Sequence, residues 1–333
     1  MSISKRLSAR LFPVLVASVL STTFILPSAQ AQTAEAWPTK PIKYVVPWPP
    51  GGPTDTFGRT IAAELSNILG QPVVVENKPG ATGAIGAQTV ARSAPDGYTL
   101  LAPNTTAFIG NVVASPKTAN FDPLKDFIPI GLFVESSVVL WAQVSTGIKT
   151  FDELLKRARD AGKEPISFGT TGSGSVSEQS VEQLARHFKL NLLKVPYQGT
   201  APQVADLVAG HVNIGTADYP IASGHYTKGT LVPLLVIGKH RLPELPNVPT
   251  NYELGIKEPD FTIWNGLFAP AGTPAPIVEK LRKATEQAAH SEAFRKIAEG
   301  QGNRVIFQTG EEASARLKEE FDSRTRFQDS NRQ

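Results

Sequence analysis

Apolar and polar positions alternate along the chain with two periods, which predict strands and helices in turn. The β-branched run at residues 42–47 predicts a strand. Residues 53–70 carry apolar side chains every three or four positions, which predicts a helix. Two more apolar runs, at 73–76 and 98–102, are separated by a second helical stretch. Such alternation predicts parallel strands joined by crossover helices.

The middle of the chain predicts a passage between two lobes. The apolar runs 126–135 and 137–144 have no helical pattern between them, and the run 261–269 predicts a return strand. Between these crossings, strands are predicted at 166–168, 193–197, 212–216 and 231–237, with helices at 151–161 and 201–209 and one ending at 188. Helices at 277–299 and 311–327 are predicted to end the chain. We therefore expect two α/β lobes, residues 37–136 with 262–333 and residues 137–261.

The N-terminal segment has the pattern of a secretory signal. Lys5, Arg6 and Arg10 precede a mostly apolar stretch at 11–26, which is followed by the small-x-small cleavage pattern at 29–31. The apolar stretch is shorter than the roughly 20 residues of a membrane span. We expect residues 1–31 to be removed between Ala31 and Gln32, and the mature protein to be soluble in a bacterial periplasm.

Charge and cysteine content exclude several classes of function. The chain has 33 Lys and Arg against 30 Asp and Glu, and three of the bases lie in the predicted signal segment, so the mature charges balance. Charges of both signs are interspersed, which argues against a nucleic-acid partner. The chain has no Cys, which excludes thiol nucleophiles, disulfides and iron–sulfur clusters.

Polar segments follow several predicted strands, where ligands bind in open α/β sheets. These segments are 48–55, 104–106, 170–177, 197–200 and 218–219. The first and third lead directly into helices, whose starts present unpaired N–H groups and a partial positive charge. Two such helix starts facing each other across a cleft are suited to a carboxylate-bearing ligand.

Enzyme and metal motifs are not recognisable in this sequence. The glycines at 80, 83 and 86 lack the spacing of a dinucleotide fingerprint, and no Gly-x-Ser-x-Gly elbow occurs. The five His residues show no short metal-ligand spacing. We therefore expect neither catalysis nor a cofactor or metal. A secreted hydrolase that uses Ser173, Ser175 or Ser177 is kept as an alternative.

A set of ordered motifs resembles a known family over nearly the whole mature chain. The motifs occupy residues 37–42, 45–55, 69–80, 94–100, 195–202, 245–250 and 266–274. Together they resemble the Bug family of extracytoplasmic solute receptors, the periplasmic binding proteins of tripartite tricarboxylate transporters. The resemblance implies a type II periplasmic-binding-protein (Venus flytrap) fold with two lobes and two crossing strands. It also implies a monomer that binds a small organic carboxylate between the lobes and delivers it to membrane components of such a transporter.

The resemblance also implies which residues face the ligand. The expected first-lobe residues are Gly51, Gly52, Thr54, Asp55, Thr105 and Thr106. The expected second-lobe residues are Ser173, Gly174, Ser175 and Ser177. Thr200 and Asp218 are expected near the far end of the ligand. Three further candidates, Trp48, Glu178 and Tyr219, are added from this sequence itself rather than from the family pattern.

Three positions depart from the usual pattern of the family. Pro53 lacks the N–H of the common small residue, so the clamp is expected to rely on Gly52 and Thr54. Glu178 stands where a His is frequent, so it is expected to point away, to be protonated, or to contact an amine or amide. Ala217 and Tyr219 replace the usual neighbours of Asp218.

These departures leave the ligand and the partner open. Ala217 enlarges the space, and Tyr219 and Trp48 are candidate aromatic walls for a ring-bearing or amide-bearing ligand. Packing of Trp48 over its own turn is the alternative interpretation of that side chain. A sensor that presents its closed form to a signalling receptor is a second functional hypothesis beside the transport receptor.

Overall fold

The computed structural model describes residues 37–160, 162, 164–172, 174–197 and 199–332. The predicted signal segment 1–31 and Ser173 lie outside these residues. The described part contains two mixed β-sheets, whose strands are numbered along the chain. Within it, none of the helices combines the length and apolar character needed to cross a bilayer.

The first sheet has six strands. They are β1 (Ile42–Val46), β2 (Val73–Asn77), β3 (Thr99–Leu101), β4 (Phe127–Ser136), β10 (Ile263–Pro270) and β11 (Arg304–Gln308). Their order across the sheet is β11-β4-β10-β3-β1-β2. The pairs of β1 with β2 and β3 are parallel, whereas β10 runs antiparallel to β3 and β4.

The second sheet has five strands. They are β5 (Val138–Gln143), β6 (Ile166–Thr170), β7 (Leu192–Pro196), β8 (Ile214–Asp218) and β9 (Leu231–Ile237), in the order β7-β6-β8-β5-β9. The pairs of β6 with β7 and β8 are parallel. The passages from β4 to β5 and from β9 to β10 connect the two sheets, so the chain crosses between lobes twice.

Helices cover both faces of each sheet. They are α1 (Pro53–Leu69), α2 (Ala84–Ala91), α3 (Asn111–Ala114), α4 (Pro116–Ala119), α5 (Phe151–Arg159), α6 (Val176–Phe188), α7 (Thr200–Ala209), α8 (Tyr219–Thr227), α9 (Ala275–Ala289), α10 (Glu292–Gly300) and α11 (Gly310–Arg332). A π-helical segment, Thr106–Gly110, leads into α3.

Apolar side chains of the helices form a separate core on each face of a sheet. In the first lobe, α1, α9 and α10 bury one face, and α2, the 106–114 segment and α11 bury the other. In the second lobe, α5 and α6 cover one face while α7 and α8 cover the other. The polar ends of the strands are left to form the surface between the lobes. The two-lobed α/β fold expected from the sequence is therefore observed.

Residues at both ends of helix α1 explain where it begins and ends. Pro53 occupies the first turn, where its missing N–H costs nothing, as predicted. Gly70 ends the helix with a φ of 69°, a conformation that glycine adopts without strain. Phe57, Ile61 and Leu65 are fully buried on one face. At about 25 cal/mol per Å² of apolar surface, each contributes roughly 1.5–3 kcal/mol of burial free energy.

Several elements differ from the prediction. The single helix expected over 277–299 is two helices, because the Ser291 hydroxyl caps a new start by accepting from Phe294 N at 3.1 Å. Strand β11 was not predicted, since its half-buried residues form an edge that pairs only with distant β4. The predicted Gly/Ser loop is also shorter, because Ser175 is the N-cap and Ser177 is already helical. The helices between 106 and 119 and helix α8 were not predicted either.

Candidate functional site

Each sheet has a topological switch point, where the chain connections on the two sides of one strand run in opposite directions. In the first sheet β1 lies between β2 and β3, and in the second β6 lies between β7 and β8. Ligands of open α/β sheets bind in the crevice outside such a point, at the carboxyl ends of the strands. The predicted polar segments that follow β1, β3, β6 and β8 all lie at these two points.

The first-lobe wall is organised by Asp55. Its Oδ2 accepts hydrogen bonds from Gly51 N and Arg59 Nε, both at 2.9 Å, and its Oδ1 accepts from Asn77 Nδ2 at 2.7 Å. Asn77 Nδ2 also donates to Trp48 O at 3.0 Å. Asp55 therefore fixes the loop after β1 against the start of α1. Its two carboxylate oxygens are engaged by protein donors.

These contacts determine the ionisation of Asp55. Burial alone disfavours the charged carboxylate, but hydrogen bonds from Arg59, Gly51 and Asn77 outweigh burial and hold the pKa of Asp55 below its ordinary value. Gly51 has a φ of 88°, which glycine adopts readily and which directs its N–H toward the carboxylate.

A second hydrogen-bond network joins the remaining first-lobe residues to the crossing strand. Thr54 Oγ1 donates to Asn265 Oδ1 at 2.8 Å and accepts from Asn104 Nδ2 at 3.1 Å. The fully buried Thr105 accepts at its Oγ1 from Trp264 N at 2.9 Å. These threonine hydroxyls therefore tie the strand ends to β10. Thr106, at the start of the π-helical segment, is partly exposed.

The second-lobe wall repeats the arrangement of the first. Gly174, with a φ of 71°, donates its N–H to Glu178 Oε2 at 2.7 Å, four residues later in the first turn of α6. The Ser175 hydroxyl caps the helix by accepting from Glu178 N at 3.1 Å. Glu178 Oε1 pairs with Lys194 Nζ at 2.7 Å. As with Asp55 and Arg59, an acidic side chain secures the loop and is paired with a base, although Lys194 is shared with Glu182 at 2.8 Å.

The hydroxyl of Ser177 is also engaged. It accepts from Thr216 Oγ1 at 2.6 Å, which links the start of α6 to β8 in a buried position. Within the described part of the chain, no histidine or carboxylate side chain is hydrogen-bonded to the hydroxyl of Ser175 or Ser177. Among the described residues, neither serine therefore has the adjacent base that activates a nucleophile.

The two walls approach each other at a pair of glycines. A Cβ atom added to Gly110, at the end of the π-helical segment, would lie 2.8 Å from Gly174 O. A Cβ atom added to Gly174 would collide with the Cβ of Ala114. Only glycine therefore permits this approach of the two lobes. Gly110 was not singled out from the sequence, because it lies in a helical segment with an ordinary φ of −58° and no turn pattern marks it.

Buried polar atoms without a partner lie in both walls. Among the described residues, Trp48 Nε1, Asp218 Oδ1 and both amide atoms of Gln203 are buried and make no hydrogen bond. Gln203 is fully buried in the first turns of α7, beside Gly169 and Gly215. Buried polar atoms are nearly always paired in proteins, so these unpaired atoms are candidate contacts for a bound molecule.

Asp218 is the acidic group of the site that no base neutralises in the described structure. Burial raises the pKa of Asp218 to about 6, with no opposing contact. The residue as a whole is partly exposed while its Oδ1 is enclosed, so access from the cleft is retained. Its protonation therefore changes near neutral pH.

The remaining predicted residues are less tightly connected. The ring of Tyr219 stacks on that of buried Trp141 at a centroid distance of 6.5 Å, so it packs within the second lobe. Trp48 packs against the first-lobe core. Gly52 is the N-cap of α1, and Thr200 is the partly exposed first residue of α7.

Several residues of the site were not singled out from the sequence. Asn265 is a buried polar side chain within the otherwise apolar strand β10, and that contrast is a usable signal. Asn77 stands at the end of β2, another usable position. Lys194 and Gly110 gave no signal, because their roles depend on partners that are distant in sequence.

A cavity of about 430 Å³ lies away from these walls, beside the crossing segments. Its lining includes Glu135, Lys239 and Arg241, which are already paired with Arg304, Asp260 and Glu253 respectively. Because the cavity does not lie at the carboxyl ends of β1, β3, β6 and β8, we do not assign the candidate site there. The described residues contain no cluster of His, Asp and Glu that could hold a metal ion.

Comparison with known proteins places this geometry in a family. The family model described as "Tripartite tricarboxylate transporter family receptor" matches residues 57–326. The structure of the periplasmic binding protein BugD is similar to the chain, with 32% sequence identity and a TM-score of 0.74, over 88% of this chain and 98% of BugD.

Two ligand-bound structures are similar as well. MatC from Rhodopseudomonas palustris with bound malate has 34% identity and a TM-score of 0.73, over 88% of this chain and 100% of MatC. Rpa4515 of R. palustris with adipate has 27% identity and a TM-score of 0.75, over 88% of this chain and 98% of that one.

The contacts of Asp55 predict a pH-dependent loss of stability. We expect Asp55→Asn to lower the free energy of unfolding at neutral pH by about 1–3 kcal/mol, because an amide NH2 would face the Gly51 N–H and Arg59. Since the folded pKa of Asp55 is depressed, its stabilisation is present above its ordinary pKa of about 3.9 and lost as pH falls through the folded value.

Urea unfolding of wild type and variant, near neutral pH and again in acid, measures this effect. The two proteins are expected to converge in acid. Glu279→Gln, which removes an exposed carboxylate of an i,i+4 surface pair, is the control and is expected to have little effect. A wild-type-like unfolding curve for Asp55→Asn at neutral pH would contradict the assignment.

Proposed function

The chain belongs to the tripartite tricarboxylate transporter receptor family of periplasmic solute-binding proteins, and from this membership and the cleft geometry we propose that it captures a small dicarboxylate between its lobes. The observation that carries the proposal is the matched pair of helix starts, α1 and α6, at the two strand switch points. Their acidic side chains are engaged by protein donors. A ligand carboxylate therefore meets N–H and hydroxyl groups.

The charges of the cleft support an anionic ligand. Glu178 lies where it would repel an anion, but its carboxylate pairs with Lys194 and accepts from Gly174 N, as Asp55 pairs with Arg59. An anion at a helix start gains typically 0.3–1 kcal/mol, and up to about 2 kcal/mol when partly buried. The malate and adipate of the related structures carry carboxylates at both ends, which supports a dicarboxylate here.

We assign distinct roles to the predicted site residues. Gly52, Thr54 and the loop after β1 form one clamp, whose shape Asp55 maintains. Gly174, Ser175, Ser177 and the adjoining Ser173 form the other. Trp48, Gln203 and Asp218, with their unpaired polar atoms, contact the remainder of the ligand. Thr105 and Thr106 support the first clamp, and Thr200 and Tyr219 border the far end.

Binding works through closure of the lobes in this proposal. A ligand that bridges both walls favours the closed form only to the extent that it binds that form better than the open one. Micromolar affinity corresponds to about −8.2 kcal/mol, far more than two helix starts supply. Burial of the ligand chain and new partners for the unpaired atoms contribute the remainder. The closed form then presents a surface to the membrane components of a transporter.

The crossing segments fit the lobe boundaries proposed from the sequence. Strand β4 ends at Ser136 and β5 begins at Val138, while the return crossing enters β10 at Ile263. We propose lobes of residues 37–136 with 262–333 and of residues 137–261. A secreted monomer that starts near Gln32 is the form in which we expect the receptor to act.

A thermal-shift screen of residues 32–333 tests the proposed ligand class. Dicarboxylates of graded chain length are compared with monocarboxylates, aromatic acids, amino acids and amides. Ligand at about 100 times its dissociation constant adds about 2.7 kcal/mol of stability, a rise in Tm of roughly 4 °C for a protein of this size. We expect dicarboxylates to give the largest shifts.

Denaturation and mass analysis of the purified protein first establish whether ligand has been carried through purification. Stabilisation by neutral amides alone, or by no organic acid in ligand-free protein, would contradict the dicarboxylate proposal.

The ionisation of Asp218 predicts how affinity for a dicarboxylate depends on pH. With a folded pKa of about 6, Asp218 is mostly ionised at neutral pH and repels the ligand, whereas its protonated form donates a hydrogen bond. We expect affinity to rise several-fold as pH falls from about 7.5 to about 6.5, a range in which both carboxylates of the ligand remain largely ionised.

Isothermal titration calorimetry across this pH range measures the effect, and Asp218→Asn is expected to remove it. Asp122→Asn, in an exposed loop, serves as the matched control. If Asp218→Asn keeps the wild-type pH dependence, Asp218 has no contact with the ligand.

The glycine pair predicts a variant that separates closure from stability. Gly110 has a helical φ of −58°, so Ala is compatible with its backbone and favoured by about 1 kcal/mol in a helix. The added Cβ would nevertheless lie 2.8 Å from Gly174 O of the other lobe. We expect Gly110→Ala to weaken ligand binding about tenfold or more while leaving the unfolding of ligand-free protein unchanged or more difficult.

Gly224→Ala, in helix α8 with no atom within 4 Å of the new Cβ, provides the control. Calorimetric affinity and ligand-free Tm are compared for the two variants. Equal affinities in Gly110→Ala and Gly224→Ala would show that closure does not require the Gly110–Gly174 approach.

A further inference from the structure

The C-terminal helix α11 joins the two lobes outside the crossing strands. Its first half packs in the first-lobe core through Ala313 and Leu317. Its second half contacts α6, whose own core residues Val181 and Leu184 belong to the second lobe. Helix α6 is the helix whose first turn forms the second-lobe clamp. A helix of one lobe is therefore fastened to the clamp helix of the other.

Arg324 lies at the centre of this contact and is fully buried. Its Nη1 donates to Gln179 Oε1 of α6 at 2.9 Å, and its Nη2 lies 2.9 Å from Glu320 Oε1 and 3.3 Å from Asp260 O. Its guanidinium also stacks 4.8 Å from the centre of the Phe261 ring. One cation thus contacts its own helix, the second crossing segment and the clamp helix.

The charge of Arg324 is held by a buried acid. Glu320 pairs with Arg324 and accepts at Oε2 from Trp264 Nε1 at 2.7 Å. Burial raises the pKa of Glu320, and Arg324 opposes that effect. A buried ion pair is weak evidence for stability, because desolvation offsets the attraction. The pair, with Trp264, fixes α11 to strand β10 within the first lobe, and this holds Arg324 where it contacts Gln179 of α6.

The contact continues along both helices. Arg186 of α6 donates to Ser330 Oγ at 3.0 Å and to Ser330 O at 3.2 Å, and it lies over the ring of Phe327. Since the contacts advance in the same direction on both helices, α6 and α11 run side by side and parallel. At the other end, a Cβ atom on Gly110 would lie 3.7 Å from Arg324 Nη1. The contact therefore reaches the point where the two lobes meet.

We propose that Arg324 is a positioning residue of the binding cleft, which acts through Gln179 to hold the clamp helix α6 against the first lobe when the cleft is closed. Gln179 follows Glu178 directly, and Glu178 is hydrogen-bonded to Gly174 and Ser175. A displacement of Gln179 therefore also displaces the turn that carries Gly174 and Ser175. Closure is then stabilised by protein–protein contacts as well as by the ligand. The inference rests on the proposed function only for the identity of the cleft, because the contacts of Arg324 join protein groups to one another.

Gln179→Leu is the primary test, since it removes the acceptor of Arg324 and leaves the Glu320 pair intact. Gln183→Leu is the matched control: Gln183 is another buried glutamine on α6, but its amide donates to Glu258 O and Pro259 O in the segment before the return crossing. Arg324→Lys is the second variant, which keeps the charge beside Glu320 and loses the forked contact.

The separation of the lobes is measured directly by pulsed spin-label distance measurements. The chain has no Cys, so Val74→Cys and Leu193→Cys, at exposed positions of edge strands β2 and β7, can be labelled without other changes. In ligand-free protein we expect Gln179→Leu and Arg324→Lys to shift the distances toward longer values, and Gln183→Leu to match the parent protein.

For a ligand found in the thermal screen, Gln179→Leu is expected to weaken affinity about five- to tenfold. The losses of the two single variants are expected not to add in the double variant, because both remove the hydrogen bond between Arg324 and Gln179. Distances in Gln179→Leu identical to those in Gln183→Leu would overturn the proposal, and additive losses of affinity would do so as well. Failure of the dicarboxylate assignment would leave the ligand-free distances unaffected, so the two proposals are tested separately.

Discussion

Both walls of the cleft depend on one interaction, a hydrogen bond from a glycine N–H to a carboxylate four residues later in the first turn of a helix. Gly51 and Asp55 form it in the first lobe, and Gly174 and Glu178 form it in the second. In each case glycine adopts a positive φ and a basic side chain neutralises the carboxylate. This hydrogen bond orders an irregular loop at a helix start, and the ion pair avoids placing an unpaired carboxylate in the cleft.

Such ties explain how an anion site tolerates acidic residues. A helix start attracts anions, and an unpaired Asp or Glu in its first turn would compete with the ligand for the same N–H groups. Pairing with Arg59 or Lys194 removes the competitor. Asp218 is then the ionisable group of the cleft left without a base among the described residues, and in the proposed function its protonation state changes the affinity for a dicarboxylate.

Closure adds a second constraint, which is steric rather than electrostatic. The walls meet where Gly110 faces Gly174, and neither position has room for a Cβ atom. Arg324 lies behind this contact and connects the clamp helix to α11. Loop order, lobe approach and the helix contact thus involve one short region around the start of α6, so a change in any of them is expected to alter the others.

The sequence predicted the fold class, the order of most strands and the helix starts, because these depend on local periodicity and capping. Pro53 at the first turn of α1 is an example. Strand β11 and the break at Ser291 were missed, since an edge strand and a cap within a long amphipathic stretch are weak signals beside the surrounding helical pattern. The charge of Glu178 was recognised as a problem, but its partner Lys194 lies 16 residues away on β7 and only the folded sheet brings them together.

The position of the bound ligand tests the central claim most directly. A crystal structure with the dicarboxylate that gives the largest thermal shift is predicted to show one ligand carboxylate at the start of α1 or α6. Its oxygens are expected within hydrogen-bonding distance, about 2.7–3.2 Å, of N–H groups near Gly52 and Thr54 or near Ser175 and Ser177. A ligand seated instead in the cavity beside Lys239, with the strand ends unoccupied, would contradict the account.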